Sequence, residues 1–423
     1  DGAGHEREAL VPVVRALATA RCPIAGDYHA RLTDWPGSPG REVIVQEHEF
    51  IAGKPTPASM RRMDPTLTPV GPDLSGLQLW GPPTDNVPLM LTPGGPAYLA
   101  TYSRERREQI LYELGVDAVP EVLRWSDDVS MAGAVADLDG DEVRELYLGT
   151  GTYTRKLYRL DRDAQGVWTR RPAHPPTDAI GSDINSLVAG DFDGDGREEL
   201  AAAVGAWRAY DVRIFEAGPD GELRIAARRR FGHVRVMAAL RGADGSTLLA
   251  LAKDDSAASK EAWPADRPQG EAAGLHVVRR RGDSLVSVAY VPWPMSDARP
   301  PESRRIVVGD FDGDGLDDVA ALIDVYGSPF ARTVLLRQLP DGSFASAILG
   351  AISPVLAGNF DDDPADELLA TIRRGDTTEQ CVLGVEGEGV APAPAPHAAA
   401  DAPRLADPLL ASAWSRAENL AGF

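Results

Sequence analysis

The sequence predicts an all-β fold, a β-propeller of seven blades, from three observations. An acidic loop motif recurs at Asp137, Asp191, Asp310 and Asn359, and an apolar run follows each copy. The first two copies lie 54 residues apart and the last two lie 49 apart, which is a spacing typical of propeller repeats. Each unit also has room for four short strands, the composition of one propeller blade.

The strand pattern is clearest in the unit that contains Asp191. Residues 200–204 form a continuous apolar run after the loop, and residues 212–215 and 223–225 flank a Pro-Asp-Gly turn. The same order returns around the Pro-Asp-Gly turn at 340–342. Together with the strand before the loop, this pattern predicts four strands in each unit.

Three further units are predicted from spacing. Residues 239–249 keep the turn and the following strand but have Leu240 where the other loops begin with an acid or amide, so this unit is expected to lack metal. Residues 84–87 and 34–37 each precede an apolar run and are interpreted as two worn copies. The polar, proline-containing stretch 254–273 predicts a long surface loop.

The four acidic loops share the ligand pattern of a calcium site. Side-chain oxygens stand at positions one, three, five and nine, and a backbone carbonyl at position seven completes the shell. Carboxylates this close would repel one another without a cation, so up to four Ca²⁺ ions are expected. The candidate ligands are Asp137, Asp139, Asp141, Val143 and Glu145 in loop A; Asp191, Asp193, Asp195, Arg197 and Glu199 in loop B; Asp310, Asp312, Asp314, Leu316 and Asp318 in loop C; and Asn359, Asp361, Asp363, Ala365 and Glu367 in loop D.

The loops are expected to differ in affinity. Gly196 and Gly315 stand at position six, where a positive φ is preferred, whereas loop A has Glu142 there and should have poorer geometry. Loop D has Pro364 at the turn and one charge fewer, so it should bind most weakly. The competing interpretation is that Asp-Gly runs are ordinary hairpin turns, but four copies with the same ligand positions favour calcium.

One repeat is similar to a known family. Ile180-Gly181, the run 188–196, Gly205-Ala206-Trp207 and the strand 212–215 resemble the FG-GAP repeat of the integrin α-subunit propeller and of bacterial proteins with related, VCBS-type repeats. Ile180 replaces the Phe of the family pattern, and Trp207 replaces its Pro. The resemblance implies a seven-bladed propeller with calcium in inter-strand loops on one face. Such propellers serve as adhesins, lectins and accessory domains of enzymes, so it does not identify a ligand.

The repeat region is predicted to span residues 25–389, with shorter segments on either side. An N-terminal extension, 1–24, has apolar residues at helical spacing between residues 6 and 21, which predicts a helix. Residues 390–406 form an Ala/Pro-rich linker, and residues 407–423 are predicted to form a C-terminal helix. Docking of this helix on a neighbouring protein is favoured over docking back on the propeller, and a disordered tail is the competing interpretation.

Composition limits the classes of partner. Acidic residues exceed basic ones by 64 to 43, and a net charge of −21 is the wrong sign for binding nucleic acid. The chain has no apolar run long enough for a membrane-spanning helix. Only four of the basic residues are lysines, which with abundant Ala, Gly and Pro indicates a GC-rich bacterium.

The expected location is outside the inner membrane, in the periplasm, on the outer surface or in the medium. Calcium loops of extracellular modules bind at about 10⁻⁴ to 10⁻³ M and would be filled there. The chain also begins at Asp1 without a Met, as a processed protein would. Cys22 and Cys381 are interpreted either as two buried thiols or as a disulfide that closes the ring.

The sequence lacks the motifs of common catalytic sites, so we expect a protein that is not an enzyme. The favoured hypothesis is an interaction or adhesion module, or a subunit of an envelope complex. The alternative is a carbohydrate-binding lectin or the propeller of a polysaccharide-active enzyme. Trp80, Trp125, Trp168, Trp207 and Trp293 are expected in the blade cores and not as sugar platforms. Arg281-Gly282-Asp283 is interpreted as a hairpin turn.

Overall fold

A computed structural model gives the fold. It describes residues 97–386 except 104–107, 115–119, 127–129, 152–155, 174–182, 206–209, 255–269, 294–301, 325–331, 350–351, 361–363 and 375–376. Outside this part it describes strand segments between residues 13 and 90, residues 68 and 70, and residues 391–392. The described residues form strands and turns and contain no helix, so the all-β prediction is confirmed.

The strands form seven antiparallel sheets of three to five strands and one separate hairpin within the described residues. Sheet 1 contains β2 (Tyr28–Asp34), β3 (Arg41–Glu47) and β6 (Ser59–Met63), and the hairpin contains β4 (Phe50–Ile51) and β5 (Lys54–Pro55). Sheet 2 contains β7 (Pro88–Met90), β8 (Ala97–Ser103), β9 (Glu108–Leu114) and β10 (Glu121–Ser126). Sheet 3 contains β11 (Ser130–Ala136), β12 (Glu145–Thr150), β13 (Leu157–Arg162) and β14 (Trp168–Pro172). Sheet 4 contains β15 (Asp183–Gly190), β16 (Glu199–Gly205), β17 (Asp211–Ala217) and β18 (Leu223–Arg230).

The remaining sheets follow the same order. Sheet 5 contains β19 (His233–Arg241), β20 (Thr247–Asp254), β21 (Gly274–Arg281) and β22 (Ser284–Pro292). Sheet 6 contains β23 (Glu302–Gly309), β24 (Asp318–Asp324), β25 (Arg332–Gln338), β26 (Phe344–Ile348) and the short β30 (Ala391–Pro392). Sheet 7 contains β27 (Ile352–Gly358), β28 (Glu367–Arg374), β29 (Thr377–Glu386) and β1 (Val13–Arg21).

Successive sheets contact each other through their first strands. β11 contacts β15, β15 contacts β19, β19 contacts β23, and β23 contacts β27. The series continues at both ends, because β27 contacts β2 and β11 contacts β7 and β8. The sheets are therefore neighbours in space in the order of the sequence, from sheet 2 to sheet 7 and on to sheet 1.

The N-terminal segment completes the last sheet, which corrects the prediction of a helix there. β1 runs antiparallel to β29, with Val13 opposite Glu386 and Arg21 opposite Glu379. A helix over these residues would leave the edge of β29 without backbone partners, so the long-range pairing overrides the local helical pattern. Residues 13–21 are thus part of sheet 7, and residues 1–12 and 22–24 of the predicted extension lie outside the described residues.

The other end of the chain is described only at residues 391–392. There β30 pairs with β26, so the Ala/Pro-rich linker begins against the outer edge of sheet 6. The predicted helix at 407–423 lies outside the described residues.

The core lies between the sheets. β16 is buried along its whole length, because side chains of sheet 3 cover one face and side chains of sheet 5 cover the other. A strand that is covered on both faces has a continuous apolar sequence and no alternation, as residues 200–204 do. The small Ala201, Ala202 and Ala203 are fully buried and allow the neighbouring sheets to pack closely.

One of the two worn copies was assigned to the wrong connection. Residues 35–40 lie outside the described residues, but they connect β2 to β3, the first two strands of sheet 1, as the acidic loops connect the first two strands of their sheets. Residues 84–87 lie outside the described residues, but they precede β7, the first strand of sheet 2, and do not connect its first and second strands. The apolar residues 88–90 suggested a second strand, but β7 pairs with β8 and forms the edge of its sheet.

Candidate metal centres

Each acidic loop joins the first and second strands of its sheet. Loop A follows β11, loop B follows β15, loop C follows β23 and loop D follows β27. Position nine is always the first residue of the second strand, where it enters the core between two sheets. The four carboxylates at this position, Glu145, Glu199, Asp318 and Glu367, are 4%, 2%, 0% and 1% exposed.

The position-one aspartate organises the backbone of loop B. Its two oxygens accept hydrogen bonds from the amides of Gly194 (2.7 Å) and Gly196 (3.0 Å), so the loop curls around Asp191. Asp195 accepts a further bond from the amide of Arg197 at 2.8 Å. Gly196 has a φ of 90°, which a side chain would make unfavourable.

Loops A and C repeat this geometry. In loop A the amide of Glu142 donates to Asp137 at 2.9 Å, and in loop C the amide of Gly315 donates to Asp310 at 2.8 Å. Glu142 has a φ of 67°, so the same backbone form is adopted there without a glycine. The expectation that Glu142 occupies a position of positive φ is therefore confirmed, and its conformation is strained.

The structure brings half of the predicted ligands together, all of them through their side chains, in loops A, B and C. Asp191, Asp193, Asp195 and Glu199 each offer an oxygen within 4.8 Å of the others. Two triads satisfy the same distance among the described residues: Asp137, Asp139 and Asp141, and Asp310, Asp312 and Asp314. Glu145 and Asp318 do not belong to these triads, although each begins the strand that follows its loop.

Loop D is described only in part, because Asp361 and Asp363 lie outside the described residues. The side-chain amide of Asn359 donates to the carbonyl of Ala365 at 3.4 Å, which joins positions one and seven. The amide of Phe360 donates to Glu367 at 2.7 Å, as the amide of Phe192 does to Glu199 in loop B. The position-seven carbonyls of Val143, Arg197 and Leu316 stay predicted ligands. Pro364 excludes a positive φ at position six of loop D.

Burial makes the position-nine carboxyls poor acids. It raises the pKa of Glu145 and of Glu199 to about 7, and that of Asp318 to about 8. The amide of Gln338 donates to Asp318 Oδ1 at 2.8 Å and opposes this rise. Among the described residues Asp318 Oδ2 and Asp139 Oδ1 are buried and have no hydrogen-bond partner. A cation in loop A would give Asp139 Oδ1 a partner, and a cation in loop C would give Asp318 Oδ2 one. Because these donors are oxygens, the set fits Ca²⁺.

Three arginines contact these clusters, and the sequence analysis missed them. Arg159 bonds Asp139 at 3.1 Å and Glu145 at 2.7 Å in loop A. Arg280 lies 3.2 Å from Asp193 and 3.5 Å from Glu199 in loop B, and Arg337 pairs with Asp312 in loop C. Arg159 and Arg337 each come from the third strand of the sheet to which their own loop belongs. Arg280 comes from the sheet that follows the sheet of loop B. This lack of a common position explains why spacing gave no indication of them.

Comparison with known families is consistent with this geometry. A family model described as an FG-GAP-like repeat matches residues 127–202. The chain carries an FG-GAP-like repeat. The matched span contains β11 to β15, the start of β16, and loops A and B, so the FG-GAP-like repeat includes two of the candidate metal centres. No relative is found among curated proteins.

Other sequence expectations have mixed outcomes. Trp125, Trp168 and Trp293 are buried as predicted, whereas Trp80 and Trp207 lie outside the described residues. Residues 281–284 form the turn between β21 and β22. Cys381 lies in β29 opposite Thr19 of β1, whereas Cys22 lies outside the described residues, so the disulfide stays a prediction. In the part of the chain that the structure describes, no helix is long and apolar enough to cross a membrane.

Proposed function

We propose that this chain is a calcium-stabilised, seven-bladed β-propeller that acts as a protein-interaction module. The observation that carries the proposal is the pairing of β1 with β29, which joins the first strand of the chain to the last sheet. Together with the contacts between successive first strands, this pairing is the arrangement of a ring closed by its own ends. Each of the seven sheets then corresponds to one blade.

Calcium has a structural role in this proposal. The loop residues at positions one, three, five and nine hold the ion with the position-seven carbonyl, in up to four loops. The bound ion supplies positive charge that offsets the repulsion among carboxylates. The Oδ2 of the fully buried Asp318, unpartnered within the described residues, supports this role, because a buried carboxylate oxygen without a partner is costly.

We further propose that the chain is not an enzyme and that it works outside the cytoplasm of a GC-rich bacterium. The residues with strongly shifted acidity in the acidic loops face backbone amides and arginines of the same chain, as expected for a structural network. A partner protein in the envelope or the extracellular space is favoured over a sugar. The burial of Trp125, Trp168 and Trp293 leaves these residues unsuited to be exposed sugar platforms.

Two measurements test the proposal. Scanning calorimetry in calcium and in excess chelator should give a higher melting temperature in calcium, because an ion that binds only the folded chain stabilises it. Magnesium at the same concentration is the control and should stabilise less, since it demands stricter octahedral geometry. Identical melting curves in calcium and chelator would contradict the calcium role.

Capture of envelope proteins on the immobilised chain, with calcium or chelator, tests the interaction role. A partner retained only with calcium supports an interaction module. Millimolar to micromolar binding on a glycan array, with no protein partner, would instead support the lectin alternative.

A further inference from the structure

Adjacent acidic loops are joined by the carboxylate at position eight, which is not a predicted metal ligand. Between loops A and B this residue is Glu198, whose Oε2 accepts a hydrogen bond from the backbone amide of Asp137 at 2.8 Å. Its other oxygen pairs with the guanidinium of Arg144. Glu198 of loop B therefore holds the first ligand residue of loop A.

Loops C and D repeat the contact in a closed form. The amide of Asp310 donates to Asp366 Oδ2 at 3.0 Å, and the amide of Asp366 donates back to the carbonyl of Asp310 at 2.6 Å. The first ligand residue of loop C is thus fixed by two bonds to position eight of loop D.

Sheet 5 has no acidic loop, yet the last residue of its first strand, Arg241, makes a similar contact. The amide of Arg241 donates to Asp317, at position eight of loop C, at 2.6 Å. Gln338 strengthens this junction, because its side chain donates to the carbonyl of Arg241 at 2.8 Å and accepts from the amide of Ala243 at 2.7 Å. Since Arg241 precedes a loop without the ligand set, the position-eight contact belongs to the junction between sheets and not to a metal shell.

We propose that the position-eight carboxylates Glu198 and Asp366 couple the calcium sites in pairs, A with B and C with D. This inference rests on the proposed calcium function. Position eight lies between the position-seven carbonyl and the position-nine carboxylate, and both of those groups are ligands. An ion in loop B therefore holds Arg197 and Glu199, the two chain neighbours of Glu198. The Glu198 carboxylate is then fixed in the position where it accepts the hydrogen bond from the amide of Asp137. An ion in loop B raises the calcium affinity of loop A, and by reciprocity loop A raises that of loop B.

The coupling skips sheet 5, because its loop has Leu240, Gly242 and Leu248 where the other loops place side-chain ligands. Loops B and C lie on either side of this sheet and should therefore fill independently. The chain should bind calcium as two cooperative pairs and not as four equal sites.

Isothermal calorimetry tests this on the full chain with loops C and D disabled by Asp312→Asn and Asp361→Asn. In this background Asp195→Asn removes the site in loop B, and the remaining calcium affinity reports loop A. We expect Asp195→Asn to weaken loop A about fivefold, the lower end of typical coupling between sites. In a Glu198→Ala chain the same change should leave loop A unaltered.

The matched control is Glu222→Ala, which removes an exposed carboxylate from the turn between β17 and β18 and should preserve the fivefold effect. Asp366→Ala gives an independent test on the C–D pair, with loops A and B disabled by Asp139→Asn and Asp193→Asn. If Glu198→Ala does not fold, Glu198→Gln retains an acceptor oxygen without the charge and should reduce the coupling.

The outcomes separate the inference from the function on which it rests. Loop A affinity that is the same with and without the loop B ion, in a chain that binds calcium, would overturn the coupling and leave the calcium role intact. An equal effect of Asp195→Asn with and without Glu198 would also overturn it. Absence of calcium binding in the wild-type chain would refute the proposed function itself.

Discussion

Replacing Asp318 by asparagine should stabilise the chain in chelator. The Asp318 side chain is fully buried, its Oδ2 has no hydrogen-bond partner among the described residues, and its pKa is raised to about 8. At pH 7 the folded chain holds a proton on this carboxyl, whereas the unfolded chain, with a pKa near 3.8, does not. The difference of about three units between pH 7 and the unfolded-state pKa lowers the free energy of unfolding by about 4 kcal/mol. Asparagine has nearly the same shape and avoids this cost.

The sign of the pH dependence follows from the same shift. Because the folded-state pKa is raised, Asp318 is least unfavourable below its unfolded pKa, and stability falls as the pH rises from about 4 to about 8. Glu145 and Glu199, with pKa values raised to about 7, act in the same direction. Without calcium, the wild-type chain should lose stability through this range, and Asp318→Asn should lose less.

Calcium should reduce the difference in stability between the wild-type and Asp318→Asn chains. A site with a dissociation constant of about 10⁻⁴ to 10⁻³ M adds about 1.4 to 2.7 kcal/mol in 10 mM calcium, and the variant lacks one such site. Calorimetry in chelator and in calcium, at pH 5, 7 and 8, measures both effects. An Asp318→Asn chain that melts at or below the wild-type temperature in chelator at pH 7 would refute the burial argument. Equal stabilisation of both chains by calcium would refute the ligand assignment.

Three further predictions concern the network around the loops. Arg280→Met should lower stability in chelator by about 2 kcal/mol, because the buried Glu199 loses its cationic neighbour. It should also increase the stabilisation by calcium that calorimetry measures. Arg281→Met, at the exposed neighbouring residue, is the control and should change neither quantity. Gln338→Leu should lower the free energy of unfolding in urea by about 3 kcal/mol, since the amide of Ala243 and the carbonyl of Arg241 both lose a buried partner. Gln165→Leu, on an exposed turn, should leave stability unchanged. Equal effects of the two substitutions would contradict the role of Gln338. Asp193→Ala should lower the melting temperature in calcium more than Asn359→Ala, because loop B has the full set of carboxylates, and the reverse order would refute the ranking of the loops.

The sequence by itself determined the acidic loops and the strands beside them. Positions one, three, five and nine are set by local geometry, since the loop curls around its own first aspartate and the next strand begins at position nine. Such contacts span a few residues and therefore leave a pattern that can be read directly. The position-eight acids Glu198, Asp317 and Asp366 left a pattern too, but its purpose became visible only in the contacts between sheets.

Tertiary structure alone decided what crosses between sheets. β1 has helical spacing in the sequence, yet it pairs with β29, because the free edge of the last sheet offers more backbone hydrogen bonds than an isolated turn of helix. Arg159, Arg280 and Arg337 occupy no common position in the repeat, and each reaches its loop only because of the way the strands pack. The spacing of the ligands in a loop is determined by the residues of that loop alone. The contacts of the arginines with the loops, and the pairing of β1 with β29, depend instead on residues far apart in the chain that folding brings together.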